Sequence, residues 1–266
     1  MPDPVRCRLV VAGRSLECLQ IAGDPARPTL VLLHEGLGCV ALWRDFPQRL
    51  AEASGHPVFA WSRPGYGQSS ALPLPWPLDY MEREGQTGLP AVLDAADIGD
   101  CVLFGHSDGA SIALIHAGLV ADPRVQGVIV MAPHVFAEEP GLASIAQARE
   151  AYEHGDLRAR LAKYHAHVDC AFHGWCDSWL HPDFRRWNIE HALPGIRVPL
   201  LQIQGEGDQY GTVAQLEAIA RGVRGPCRSL LLPDCRHAPQ FEQPAATLAA
   251  ALEFLAELRP VAARPP

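Results

Sequence analysis

The chain has 266 residues, 48% hydrophobic and 20% charged, with a formal net charge of −8. This composition suits one large globular domain, or a domain carrying an insertion, and the lack of any basic block argues against a nucleic-acid surface. No apolar run reaches the length of a membrane-spanning helix, and the opening Met1 to Pro4 lacks a signal-peptide pattern, so the sequence reads as cytoplasmic and not membrane-bound. Eight cysteines (Cys7, Cys18, Cys39, Cys101, Cys170, Cys176, Cys227 and Cys235) are scattered without a C-x-x-C pair. That removes the zinc-ribbon and thioredoxin patterns and predicts mostly free, buried thiols.

In chain order, Val5–Val11 and Arg14–Ile21 predict a hairpin around Ala12 and Gly13. Pro28 to His34 is a continuous apolar strand, as expected in a sheet covered on both faces, and it runs into the glycine-rich loop Glu35 to Gly38. Leu42, Phe46, Leu50 and Ala53 fall at helical spacing before Gly55. Pro57 to Trp61 is the next strand, followed by the tight loop Ser62 to Ser69 and a proline-rich surface stretch with Pro73, Pro75 and Pro77. Asp79 and Glu82 have the spacing of a capping box for a helix towards Ala95, with Gly85, Gly88 and Pro90 weakening or bending it. Strands follow at Val102 to Phe104 and Val125 to Ala132. From Pro133 to Pro199 no buried strand is predicted; the stretch reads as helices and carries Trp175, Trp179 and Trp187. Strand character returns at Pro199 to Gln204 and at Cys227 to Leu232, with helices at Val213 to Val223 and Gln240 to Leu258 and a frayed tail from Arg259 to Pro266. Alternating strands and helices imply an α/β fold: a mostly parallel central sheet flanked by helices, with functional loops at the carboxyl ends of its strands.

The chemistry centres on Gly105-His106-Ser107-Asp108-Gly109, a G-x-S-x-G pattern between a strand and a helix. Such a turn strains its central residue, so the flanking positions need glycine, and it sets the serine hydroxyl beside the free N–H groups of a helix start. Serine needs a base to take its proton and a carboxylate to orient that base. Asp208, after the penultimate strand, and His237, after the last, supply them in the order serine, acid, histidine. Glu206 and Asp234 compete with Asp208 for the acid role, and His106 and His34 read as structural supports.

From about Arg6 to Leu258 the chain resembles the α/β-hydrolase superfamily, in particular its lidded carboxylesterases and hydrolases of ring-cleavage products. The resemblance rests on residues 32–38 (LLHEGLG), Ser62 to Ser69, the Ser107 pentapeptide, Gly205 to Asp208, and His237 to Pro239. It implies a core of residues 1–132 and 198–266, a helical lid over 133–197, and an oxyanion hole from the Asp108 N–H with that of Glu35 or Gly36. It further implies a serine hydrolase acting through an acyl-enzyme on an ester or thioester, with no cofactor. Many relatives have His-Gly where this chain has His34-Glu35. A carboxylate turned into an oxyanion hole would oppose the charge formed there, so Glu35 is expected to turn away and pair with Arg63. The alternative is that Glu35 positions water or a polar substrate group.

Three further readings share the fold. Arg185, Arg186 and Asn188 could bind the carboxylate of a carbon–carbon hydrolase substrate; a ligand sensor would bind with little turnover; a cofactor-free dioxygenase would consume oxygen. A metal reading of His165, His167, Asp169, His173 and Cys176 lacks a recognised ligand pattern. The bland reading places the imidazoles and rings of this stretch around the pocket. The expected partner is a small apolar or aromatic molecule, with Trp175, Trp179 and Trp187 as candidate pocket walls; a homodimer is left open.

Overall fold

The computed structural model describes residues 3–258. Strands β1 (Val5–Val11) and β2 (Arg14–Ile21) pair antiparallel around Ala12 and Gly13, both at positive φ (47° and 75°), a turn whose twist matches that of the strands. Next come β3 (Thr29–Leu33), α1 (Phe46–Ser54), which stops where Gly55 adopts φ 71°, and β4 (Val58–Trp61). Two short helices, α2 (Tyr80–Arg83) and α3 (Leu89–Ala95), are joined by a wide π-type turn over Glu84–Gly88. β5 (Cys101–His106) leads into α4 (Asp108–Ile115), and β6 (Val125–Met131) follows. Then come three helices, α5 (Glu139–Glu153), α6 (Leu157–Leu161) and α7 (Val168–Trp179), and two 3-10 turns, Pro182–Arg186 and Glu190–Gly195. The chain closes with β7 (Leu200–Gly205), α8 (Val213–Gly222), β8 (Cys227–Leu232), α9 (Pro239–Glu242) and α10 (Pro244–Glu257).

The eight strands form one sheet in the order β1-β2-β4-β3-β5-β6-β7-β8, parallel from β4 through β8 with β2 antiparallel to β4. Apolar runs are continuous in the central strands because each face meets its own core. Val31, Leu33, Leu103, Val128 and Val130 face one cluster, while Leu30, Leu32, Val102, Phe104, Ile129 and Met131 face the other. α4, flanked by β5 and its neighbours, has every residue from Asp108 to Ile115 buried.

One local expectation is corrected. The capping box at Asp79 does not form: Asp79 binds the Arg83 guanidinium at 2.8 Å, and Glu82 accepts the Trp187 indole N–H at 3.1 Å. The helix persists nevertheless: the wide Glu84–Gly88 turn runs straight into α3 past Pro90, and the Gly85 oxygen accepts a hydrogen bond from His116 Nδ1 at 2.9 Å. Gly85 is required by packing rather than flexibility, since a Cβ there would lie 2.7 Å from Ile115. Most of the cysteines are free, as expected; the exceptions, Cys7 and Cys18, face each other across β1 and β2 and are joined as a disulfide. The other six cysteines are free. The helical stretch after β6 packs on the rest of the chain at its end. Its last turn, Glu190–Gly195, meets the His116–Val120 turn backbone to backbone, with a Cβ on Gly195 1.9 Å from the Gly118 oxygen. The tail Arg259 to Pro266, expected to fray, lies outside the described residues.

Candidate active site

Ser107 sits between β5 and α4 at φ 53°, ψ −120°, a conformation only a crowded turn enforces. Its flanking glycines are steric necessities: a Cβ on Gly105 would lie 2.4 Å from the Gly109 oxygen, and one on Gly109 would lie 2.1 Å from the Leu33 oxygen. The serine hydroxyl lies 3.0 Å from His237 Nε2. On the other side of the ring, Nδ1–H donates to Asp208 at 2.8 Å to Oδ1 and 3.0 Å to Oδ2. Three residues from three strand ends thus meet in one hydrogen-bonded row. Asp208 Oδ1 also accepts the Tyr210 N–H at 2.8 Å. Burial alone would raise the Asp208 titration, but the hydrogen bond and charge of His237, with the Tyr210 N–H, hold it below the usual carboxylate value. The two competing acids, Glu206 and Asp234, are both solvent-exposed.

The loop after β3 packs close to the row. Arg63, 2% exposed, donates to the main-chain oxygens of His34 and Glu35, the latter at 3.2 Å. His34 is neutral, held well below its usual titration first by burial and then by the Arg63 charge; its Nδ1–H donates to the Glu35 oxygen and its Nε2 accepts the Arg63 N–H. Arg63 therefore secures the loop through its backbone and not through the Glu35 carboxylate. The expected Glu35–Arg63 pair is replaced by another: Glu35 Oε2 lies 3.4 Å from His106 Nδ1. Burial opposes charge on both groups, yet their mutual attraction lowers the Glu35 titration and raises that of His106. His106 Nε2–H also donates to the His237 main-chain oxygen at 2.7 Å. Its ring therefore ties the β3 loop and the His237 loop to the turn that carries Ser107. Gly36 supports α7 directly, since a Cβ there would lie 2.2 Å from Trp175 Nε1.

A profile of the Alpha/beta hydrolase family matches residues 30–251. The chain belongs to that family. No curated protein sequence matches it. Among solved structures, this hydrolase is similar to a 2-hydroxy-6-oxo-6-phenylhexa-2,4-dienoate hydrolase from a Rhodococcus strain. The two are 17% identical, with a TM-score of 0.75 over 96% of this chain and 100% of the other. The enol-lactonase of Burkholderia xenovorans is 21% identical, with a TM-score of 0.72 over 94% of this chain and 100% of that one. An esterase from Thermogutta terrifontis is 19% identical, with a TM-score of 0.72 over 96% of this chain and 99% of that one. At these identities the likeness shows the fold alone.

In this hydrolase the cavity at Ser107 is about 10 Å³, bounded by Asp108, His134, Ile145, Trp175, Trp179 and Tyr210 among others. That is room for one water. Trp175 and Trp179 both line this cavity. Trp187 does not line this cavity; it stacks on Phe184 behind Trp179 and spends its N–H on Glu82. Beyond Tyr80 lies a larger cavity of about 510 Å³, walled by Leu16, Arg63, Tyr66 and Trp76 among others, with Ser107 absent from its lining.

The surface residues considered for a carboxylate are engaged elsewhere: Arg185 with Glu139, Arg186 with Asp183, and Asn188 with Glu190. The candidate metal set is also dispersed. His165 bridges the Gly67 N–H and the Leu37 oxygen, Asp169 binds Tyr152 and Arg158, and His173 faces Asp177.

Sequence reasoning missed a relay under the serine. Trp179 Nε1 donates to Tyr80 Oη at 3.0 Å, and Tyr80 donates to Asp108 Oδ2 at 2.5 Å. It also missed His134 and the role of Arg63. These contacts join residues from 28 to 99 positions apart, and no periodicity or short motif marks them.

Proposed function

We propose that this hydrolase cleaves a carboxylic ester or thioester of a small, largely apolar molecule by acyl transfer through Ser107. The observation that carries this reading is the row Ser107–His237–Asp208, with a nucleophile, a base and an orienting carboxylate at hydrogen-bonding distance. His237 Nε2 takes the Ser107 proton as the oxygen attacks the carbonyl, and Asp208 fixes the tautomer and steadies the imidazolium. The N–H of Asp108 at the head of α4, with that of Glu35 or Gly36, holds the oxyanion. His237 then protonates the leaving group, and water attacks the acyl-enzyme by the reverse route.

Trp175, Trp179 and Ile145 around the serine favour an apolar acyl or alcohol part. The cavity is too small for any such group, so α5 and α7 act as a lid that moves for each substrate. The names of the similar structures span an esterase, an enol-lactonase and a dienoate hydrolase, so the bond class is argued from the site instead. A carbon–carbon hydrolase reading would require a cation for its carboxylate near Ser107, and Arg185 and Arg186 are turned to Glu139 and Asp183.

The test is a panel of p-nitrophenyl esters and acyl thioesters, run with oxygen consumption monitored. Hydrolysis by the native chain, lost by at least about a thousandfold in Ser107→Ala, is expected. A rate unchanged by that substitution would end the reading, as would oxygen uptake in place of hydrolysis.

A further inference from the structure

His134 follows β6 and is 4% exposed. Its backbone is locked: Ser111 Oγ donates to the His134 oxygen at 2.6 Å, and Gln215 accepts the next N–H, that of Val135, at 2.7 Å. The ring tautomer follows from its one partner. Nε2 lies 3.2 Å from the Tyr210 main-chain oxygen, which can only accept, so Nε2 carries the hydrogen. Nδ1 is then a bare acceptor, buried and without a hydrogen-bonding partner. The Nε2–Cδ2 edge packs towards Gly211, which leaves Nδ1 on the opposite edge of a ring that lines the Ser107 cavity. The ring centre is 5.8 Å from that of His237 and 5.5 Å from Trp179.

A buried acceptor left bare is costly, and in a reaction cavity the group that satisfies it comes from water or from the substrate. Deepening the esterase reading, and resting on it, we propose that His134 Nδ1 accepts a hydrogen bond from a substrate hydroxyl close to the scissile carbonyl. This makes His134 a specificity residue for hydroxyacyl esters. His134 and Ser107 line the same small cavity, so a hydroxyl bound at Nδ1 belongs to the acyl part next to the scissile carbonyl, as in a 2- or 3-hydroxyacyl group. The walls Ile145, Trp175 and Trp179 carry no acceptor, and a plain acyl chain, which has no donor, leaves Nδ1 unpaired.

The test compares p-nitrophenyl butyrate with its 2-hydroxy and 3-hydroxy analogues. In the native chain, kcat/KM is expected to favour one hydroxyacyl ester by about fivefold or more. The preference should fall to near one in His134→Leu and return in part in His134→Gln, whose amide oxygen can accept. A preference that survives His134→Leu, or no preference for either hydroxyacyl ester in the native chain, would overturn the proposal. A second arm reads binding without turnover: calorimetry of Ser107→Ala with methyl butyrate and with methyl 2- and 3-hydroxybutyrate. Tighter binding of a hydroxy ester, lost in the Ser107→Ala/His134→Leu double variant, supports the proposal even if no ester is hydrolysed, in which case the esterase reading alone fails. Equal affinities overturn it whatever the kinetics show.

Discussion

Glu35 stands where a carboxylate would harm the reaction proposed for Ser107 if it faced inward, and His106 is what turns it aside. The two groups are 3.4 Å apart, and His106 is nearly fully buried. The raised His106 titration sets the sign of its effect. Stability from the pair is fully present below the unfolded histidine value of about 6.5 and is lost as pH rises through the higher folded value. Glu35→Gln is therefore expected to cost about 1–2 kcal/mol near pH 6 and less near pH 9, measured by denaturant unfolding at both pH values. In the same variant the His106 ring, followed by NMR, should titrate lower than in the native chain. An unmoved ring would show that the carboxylate is not its partner. Gln240 also reaches His106, its amide nitrogen lying 3.2 Å from Nδ1, and it takes over that nitrogen when the ring is neutral.

Helix α7 owes its position to absent side chains. A Cβ on Gly174 would lie 2.2 Å from the buried Trp76 ring, and Gly36 leaves the space that Trp175 fills. Gly174→Ala is expected to destabilise the fold by about 1–3 kcal/mol, read as a lower melting temperature, because neither the ring nor the helix can give way cheaply. An unchanged melting temperature would mean that the helix rides over the tryptophan freely. What was legible here differs sharply by kind of signal. The turn at Ser107 could be read because its glycines, apolar strand and following helix are local, and Asp208 and His237 because strand order ranks them. The failed capping box shows the limit: Asp79 and Glu82 have the right spacing, but Arg83 and Trp187 claim their oxygens. Cys7 and Cys18 needed the β1–β2 register, and Trp187 needed the packing of α7 against Phe184, before either could be placed.

Across the whole molecule, buried histidines are numerous and most are kept neutral. His34, His56, His116, His134 and His165 are all lowered, burial being the largest cause in each, with His134 at about 4. In these cases the unfolded chain binds protons that the folded chain refuses. Stability therefore rises with pH through the window from the lowered folded values up to about 6.5, and His106 opposes the trend alone among the shifted histidines. The melting temperature is expected to fall from pH 7 to pH 5, with the Glu82, Glu84 and Asp108 carboxyls, raised by desolvation, offsetting part of the fall. A flat profile across that range would contradict the neutral assignments.

The thread from Trp179 through Tyr80 to Asp108 has one more consequence. The indole belongs to α7, which walls the Ser107 cavity, and the carboxylate belongs to the residue directly after Ser107. On the lid reading proposed above, a guest that levers α7 outward must unhook the indole from the phenol, leaving the phenol free to tighten against the acid. On that same reading, admission at the doorway would be felt at Ser107 before any bond is broken.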